Sequence, residues 1–188
     1  TELVSLGFNF KWLGGLNTVS QVRVGTNGHI NIDDDDNSSN CCSPDNIGSY
    51  QHPRIAVAQT DLFPGLEGDI VTLMRVGPHS IMISWEDTAF YGDYDYDYDY
   101  QEGFVNAQAE LFANGAVHIC YGQGEMTGND FAAGLEGGVN DPYWTAGPEA
   151  YPLPDDEYFN SNGITDTWPT NTCYCFAPGE GWERADAY

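Results

Sequence analysis

The sequence predicts an all-β fold, an antiparallel β-sandwich with long acidic loops and disulfides, and three observations carry that expectation. Apolar and polar residues alternate with period two over several short segments, the spacing of a strand that buries one face. The 22 glycines and 10 prolines interrupt the chain every few residues, which suits many short strands better than long helices. No stretch of useful length shows the 3.6-residue period of an amphipathic helix. With 188 residues, 41% of them hydrophobic, the chain can enclose a core of its own, and residues 1–188 read as one domain.

Taken in order, Val4, Leu6, Phe8 and Phe10 alternate with Ser5, Gly7 and Asn9 and form the first strand. Gly14-Gly15 ends it. Val22 and Val24 belong to the next strand, and Asn27-Gly28 turns the chain into His29-Ile30-Asn31-Ile32. Residues 33–53 read as a long loop. Apolar character resumes from Arg54 to Leu62 and stops at Pro64-Gly65. Ile70 to Val76 and Ser80 to Trp85 form a hairpin around Gly77-Pro78, and residues 92–103 form a second acidic loop. Phe104–Phe112 and Ala116–Tyr121 make the clearest hairpin, across Asn114-Gly115. Phe131–Leu135 adds a core strand. Beyond Gly137, in a stretch rich in Pro, Gly and aromatics, Tyr174 and Phe176 mark the best remaining strand. The total is about nine to eleven strands, as a sandwich requires.

The order of these segments resembles nidogen-type (NIDO-like) extracellular domains. Leu6-Gly7-Phe8-Asn9-Phe10 is similar to that family's opening strand, and Val22-Arg23-Val24-Gly25-Thr26-Asn27-Gly28-His29-Ile30 to the hairpin that follows it. Ile55 to Leu62, Ile83-Ser84-Trp85, the hairpin Gln108 to Gly115 and Cys120-Tyr121-Gly122 continue the likeness. It spans residues 4–138, while 139–188 read as an extension packed on that core. Ala58-Gln59 departs from the aromatic pair of the family pattern. The resemblance implies an adhesive or matrix module without catalysis, and it carries over no ligand.

Charge narrows the partners. Twenty-nine acids face five bases, a net of −24 at pH 7, where small soluble domains usually carry a magnitude of roughly 2–8. Such an excess repels nucleic acid and anionic membranes and attracts cations. No apolar run approaches the ~18–20 residues of a membrane-spanning helix. The chain opens at Thr1 with no initiator Met or signal peptide, as a processed protein or an excised fragment would.

Five cysteines lack metal or redox spacing: Cys41 and Cys42 are adjacent, Cys173 and Cys175 flank Tyr174, and Cys120 stands alone. A disulfide framework made in an oxidising, extracellular compartment fits this better than a cytosolic site. Adjacent and i,i+2 bridges are strained, so bonds are expected to tie Cys41 or Cys42 to Cys120, Cys173 or Cys175, with one thiol left over.

The acidity is densest in two loops. In an extended backbone, Asp93, Asp95, Asp97 and Asp99 line one face, with Tyr94, Tyr96, Tyr98 and Tyr100 on the other. Carboxylates two residues apart on a strand lie about 6.5–7 Å apart, too far for one ion. Curled into a loop, they can converge on Ca²⁺, which takes roughly 6–8 oxygens; a solvated acidic loop is the alternative. Asp33, Asp34, Asp35 and Asp36 can join that site or form a plain surface loop. Asn37-Ser38-Ser39 is a glycosylation sequon on a loop. Trp144, Trp168 and Trp182 are candidates for a carbohydrate platform or for core and interface aromatics. The four histidines are scattered without zinc spacing.

Together these features point to a non-catalytic extracellular structural or adhesive protein. Its partners would be copies of itself in a fibre or matrix, with Ca²⁺ screening the surface. A calcium-dependent carbohydrate-binding module is the alternative, and a secreted hydrolase comes third. A chain that opens on an apolar strand can also lend that strand to a neighbour.

Overall fold

The computed structural model describes residues 1–14, 17–32, 52–63, 65, 70–91, 103–126, 130–137 and 150–186. In chain order the strands are β1 (Glu2–Lys11), β2 (Thr18–Gly25), β3 (His29–Asn31), β4 (Arg54–Gln59), β5 (Leu62–Phe63), β6 (Ile70–Gly77) and β7 (Ser80–Phe90). They continue as β8 (Phe104–Phe112), β9 (Val117–Tyr121), β10 (Phe131–Glu136), β11 (Ala150–Pro152), β12 (Ile164–Thr165), β13 (Thr172–Ala177) and β14 (Gly181–Asp186). Among the described residues the helical content is one 3-10 turn, Trp12–Gly14. The all-β prediction holds. The described strands outnumber the nine to eleven expected because two- and three-residue pieces such as β5, β11 and β12 are too short to display a period.

The strands form two antiparallel sheets. Sheet one runs β1-β2-β3-β4-β10-β11, with β12 also on β10. Sheet two runs β14-β13-β9-β8-β7-β5, with β6 also on β7. Alternation decides what each sheet buries. On β8, Val105, Ala107, Ala109 and Leu111 point inward while Asn106, Gln108 and Glu110 point out. Val117, Ile119 and Tyr121 of β9, and Tyr174 and Phe176 of β13, do the same. They meet Leu6, Phe10, Val22, Ile30, Ile55, Val57 and Leu135 of sheet one in one continuous core. The strands β11 to β14, which lie beyond residue 138, complete the far ends of both sheets.

Three polar contacts set how the sheets face each other. The Tyr121 hydroxyl donates to the Val57 carbonyl at 2.6 Å, and Trp85 Nε1 donates to the Gly25 carbonyl at 3.1 Å. At the margin, Arg75 Nη1 donates to the Leu6 carbonyl at 2.8 Å. Because β1 pairs with its own β2 from Glu2 to Lys11, the opening strand is already used inside its own sheet.

The predicted Asn27-Gly28 turn joins β2 to β3, with Gly25 opposite His29. Gly28 sits at φ +72°, and a Cβ there would collide with the Ala58 carbonyl. Val57 and Ala58 both donate their amides to the Gly28 carbonyl, so this turn is pinned to β4. Gly28→Ala is therefore expected to cost about 1–3 kcal/mol, read as a lowered denaturation midpoint. An unchanged midpoint would show that the contact relaxes freely.

Candidate functional site

Most of the predicted site lies outside the described residues: Asp33, Asp34, Asp35, Asp36, Asn37, Cys41, Cys42, Asp93, Asp95, Asp97, Asp99, Tyr94, Tyr96, Tyr98 and Trp144. The remaining five are Cys120, Cys173, Cys175, Trp168 and Trp182. Cys120 bonds to Cys173, not to Cys41 or Cys42 as expected. The reason is register: β9 and β13 are neighbours and place those two residues directly opposite, with Cα atoms 4.1 Å apart. Strand adjacency across 53 residues cannot be read from cysteine spacing. Cys175 is a free, half-buried thiol on the same outer face, and burial, followed by the nearby Glu183, pushes its pKa up.

Trp168 is 7% exposed, and its Nε1 donates to the Gly122 carbonyl at 2.9 Å. Its ring packs edge-on to Tyr121 and beside Phe131. Trp182 is half-buried, packs on Phe176, and donates to the Tyr151 carbonyl at 3.1 Å. Both indoles thus take part in packing and in closing the sandwich, the core or interface role that the sequence also allowed. Among the described residues no group of three or more His, Cys, Asp or Glu is placed to hold a metal ion. None of the helices described there is long and apolar enough to cross a membrane.

What the structure brings together is a pair of unlike margins. On one side β1 lies over β6 and β7, and exposed large apolar residues collect there. Leu73, Met74 and Val76 of β6 are 49%, 51% and 53% exposed, with Leu3 exposed on β1, while Phe63 and Tyr91 stand at the far end of β7, where β5 pairs. Between the sheets at this margin runs a groove of about 360 Å³ lined by Val4, Val24, Val71, Leu73 and Ile83. Of the strands around it, β1, β2 and β6 hold Lys11, Arg23 and Arg75 against Glu2, and β7 adds Glu86 and Asp87. The Arg75 guanidinium fills the space where Gly7 lacks a side chain, and Gly7 takes φ +74° to admit it.

The opposite margin is acidic. The turn before β14 and β14 itself carry exposed Glu180 and Glu183. Arg184 of β14 spans Glu157 at 2.8 Å and Asp156 at 3.4 Å, and its guanidinium sits 4.9 Å from the Tyr158 ring centroid. Asp130, Asp155, Asp156 and Asp166 line an open hollow of about 370 Å³ beside it. Asp156 accepts from the amides of Tyr158 and Phe159 and from the Tyr174 hydroxyl. Burial pushes its carboxyl up, but those hydrogen bonds and Arg184 together hold it below the usual carboxylate range. Its pKa in the folded chain is thus the lower one, so its contribution is present above about pH 4 and lost as the pH falls through the folded value. Asp156→Asn is expected to cost about 1–3 kcal/mol at neutral pH and to flatten stability on the acid side, as followed by thermal melts across pH.

Sequence reading missed one cluster altogether. On the outer face of sheet one, Asn31, Arg54 and Glu136 stand side by side across β3, β4 and β10. Arg54 is 2% exposed and Glu136 and Asn31 are fully buried, with His29 one row away. Two opposite charges in neighbouring positions satisfy the rule that buried charge must be paired. The available signal was Arg54 itself, a base opening an apolar strand. On the outer face of sheet two, Asn106 pins the β7 bulge: its Oδ1 accepts from the Asp87 amide and its Nδ2 donates to the Asp87 carboxylate, both at 2.8 Å.

A search of the curated proteins and a search of the solved structures found no match. The model of the family described as "NIDO related" matches residues 1–178, which runs through β13 and well past residue 138, where the resemblance read from sequence stopped. The chain belongs to the NIDO-related family.

Proposed function

We propose that this chain is a non-catalytic, extracellular structural or adhesive module that associates with copies of itself, its acidic surface screened by divalent cations such as Ca²⁺. One observation carries the reading: a chain of net charge −24 keeps three large apolar side chains half exposed on a single edge strand, β6. Natural edge strands are usually guarded by charge, proline or cover, because an open apolar edge templates association. Among the described residues of β6 the one charged guard is Arg75, and that residue is turned toward Leu6. A disulfide between neighbouring strands supports an oxidising compartment. The family supports a matrix-type role.

Cations enter through the charge balance. Copies this acidic repel over a Debye length of about 10 Å at 0.1 M salt, so association needs counterions as well as contact. Negative-stain microscopy of the purified chain, with Ca²⁺ and then with chelator, tests the reading. Extended assemblies with Ca²⁺ that thin out on chelation are expected. Isolated particles under both conditions would overturn it.

A further inference from the structure

We infer that copies join head to tail, the β6 edge of one molecule pairing with the β14 edge of the next so that sheet two continues from copy to copy. This rests on the self-association proposed above and assigns its two surfaces. Among the described residues, β6 pairs with β7 alone and β14 with β13 alone, so each offers a row of backbone donors and acceptors on its outer side. Their lengths match a typical intermolecular ladder, eight residues on β6 and six on β14.

Charge selects which edges meet. Among the described residues β6 itself carries Arg75 and no acid, and the nearest carboxylate, Glu86 of β7, accepts from Thr72 at 2.8 Å. Glu180 and Glu183 are exposed on the β14 margin, where Arg184 also holds Glu157. A β14–β14 contact brings Glu180 and Glu183 beside their own copies, since Arg184 is already held by Glu157 and Asp156, and a β6–β6 contact sets Arg75 beside its own copy. Unlike edges alone bring opposite charges together, and like-charge juxtaposition disfavours the other two arrangements. Apolar contact adds to this, since Leu73, Met74 and Val76 would gain cover against half-buried Trp182 and exposed Ala185. The two edges close opposite ends of one sheet, so using one leaves the other open. Heterologous contacts of that kind propagate into filaments unless the rotation closes a ring.

Two exposed-site variants test the assignment: Leu73→Glu with Met74→Glu blocks the β6 edge, and Glu180→Lys with Glu183→Lys blocks the β14 edge. Each alone is expected to weaken self-association more than about tenfold by sedimentation velocity in Ca²⁺. Mixed one to one they associate again, because one supplies an intact β14 edge and the other an intact β6 edge. Near-UV circular dichroism checks folding, and Val76→Glu replaces the double change if that variant misfolds. If the β14 variant associates as well as the unmodified chain, or the mixture stays monomeric while the unmodified chain assembles, the head-to-tail pairing is wrong. If the unmodified chain itself stays monomeric, the self-association reading fails instead.

Discussion

Tyr121→Ala is expected to lower the unfolding free energy by about 4 kcal/mol, the range of a large aromatic removed from a packed core. Tyr121 stands on β9 at the centre of an aromatic group, with ring centroids 5.3 Å from Trp168, 5.7 Å from Phe131, 6.1 Å from Phe159 and 6.3 Å from Tyr174. Those neighbours come from β10, from β13 and from the segments before β12 and β13, so the loss would be felt across both sheets. The hydroxyl has a separate task, since it carries the buried hydrogen bond to Val57 that joins β9 to β4. Tyr121→Phe keeps the ring and should cost about 1–2 kcal/mol, the penalty of leaving a buried carbonyl unsatisfied. Burial pushes this phenol well up, with Tyr174 next in effect. A phenol raised in the fold stabilises it fully below pH 10 and less as the pH climbs further. Urea titrations of both variants separate ring from hydroxyl. Equal losses would mean that the hydrogen bond, and not the packing, dominates.

Opening the Cys120–Cys173 bridge has the other large expected effect. The bond closes a segment of 53 residues, for which the chain-entropy relation gives about 4 kcal/mol. The enclosed segment includes β10, β11 and β12, so the unfolded chain regains freedom over half of the edge of sheet one. Cys120→Ala with Cys173→Ala should therefore lose that amount, whereas Cys175→Ser, which touches no bridge, should lose almost nothing. Comparable losses from both would place the effect in packing on the outer face and not in the crosslink.

The strands that were easiest to read share one property: they bury a single face. On β8 the alternation Val105, Ala107, Ala109, Leu111 is unbroken, and Asn114-Gly115 supplies the turn chemistry at its end. The core strands β4 and β10 were found by apolar content, because both faces are buried and no alternation exists to read. That double burial also hid the Asn31–Arg54–Glu136 row, whose members meet only through strand order. The same gap explains the cysteines. Neighbourhood in a sheet is a non-local fact, and Cys120 and Cys173 become partners only once β13 is laid beside β9. For Trp168 and Trp182 the sequence left a sugar platform and a core or interface role both open, and their Nε1 groups cap backbone carbonyls, contacts that depend on strand order.

Acidity drew attention to the loops, yet the described residues put the contrast at the margins. A few bases and exposed apolar groups gather at β1, β2 and β6, and acids gather at β14. Net charge says only that copies repel. Its distribution says where they can meet.

Sedimentation velocity of the unmodified chain over a wide concentration range, in buffer with Ca²⁺ at physiological ionic strength, bears most directly on this account. A weight-average coefficient that keeps rising with concentration and passes the dimer without a plateau is the predicted result. A single monomer boundary at every concentration would contradict it.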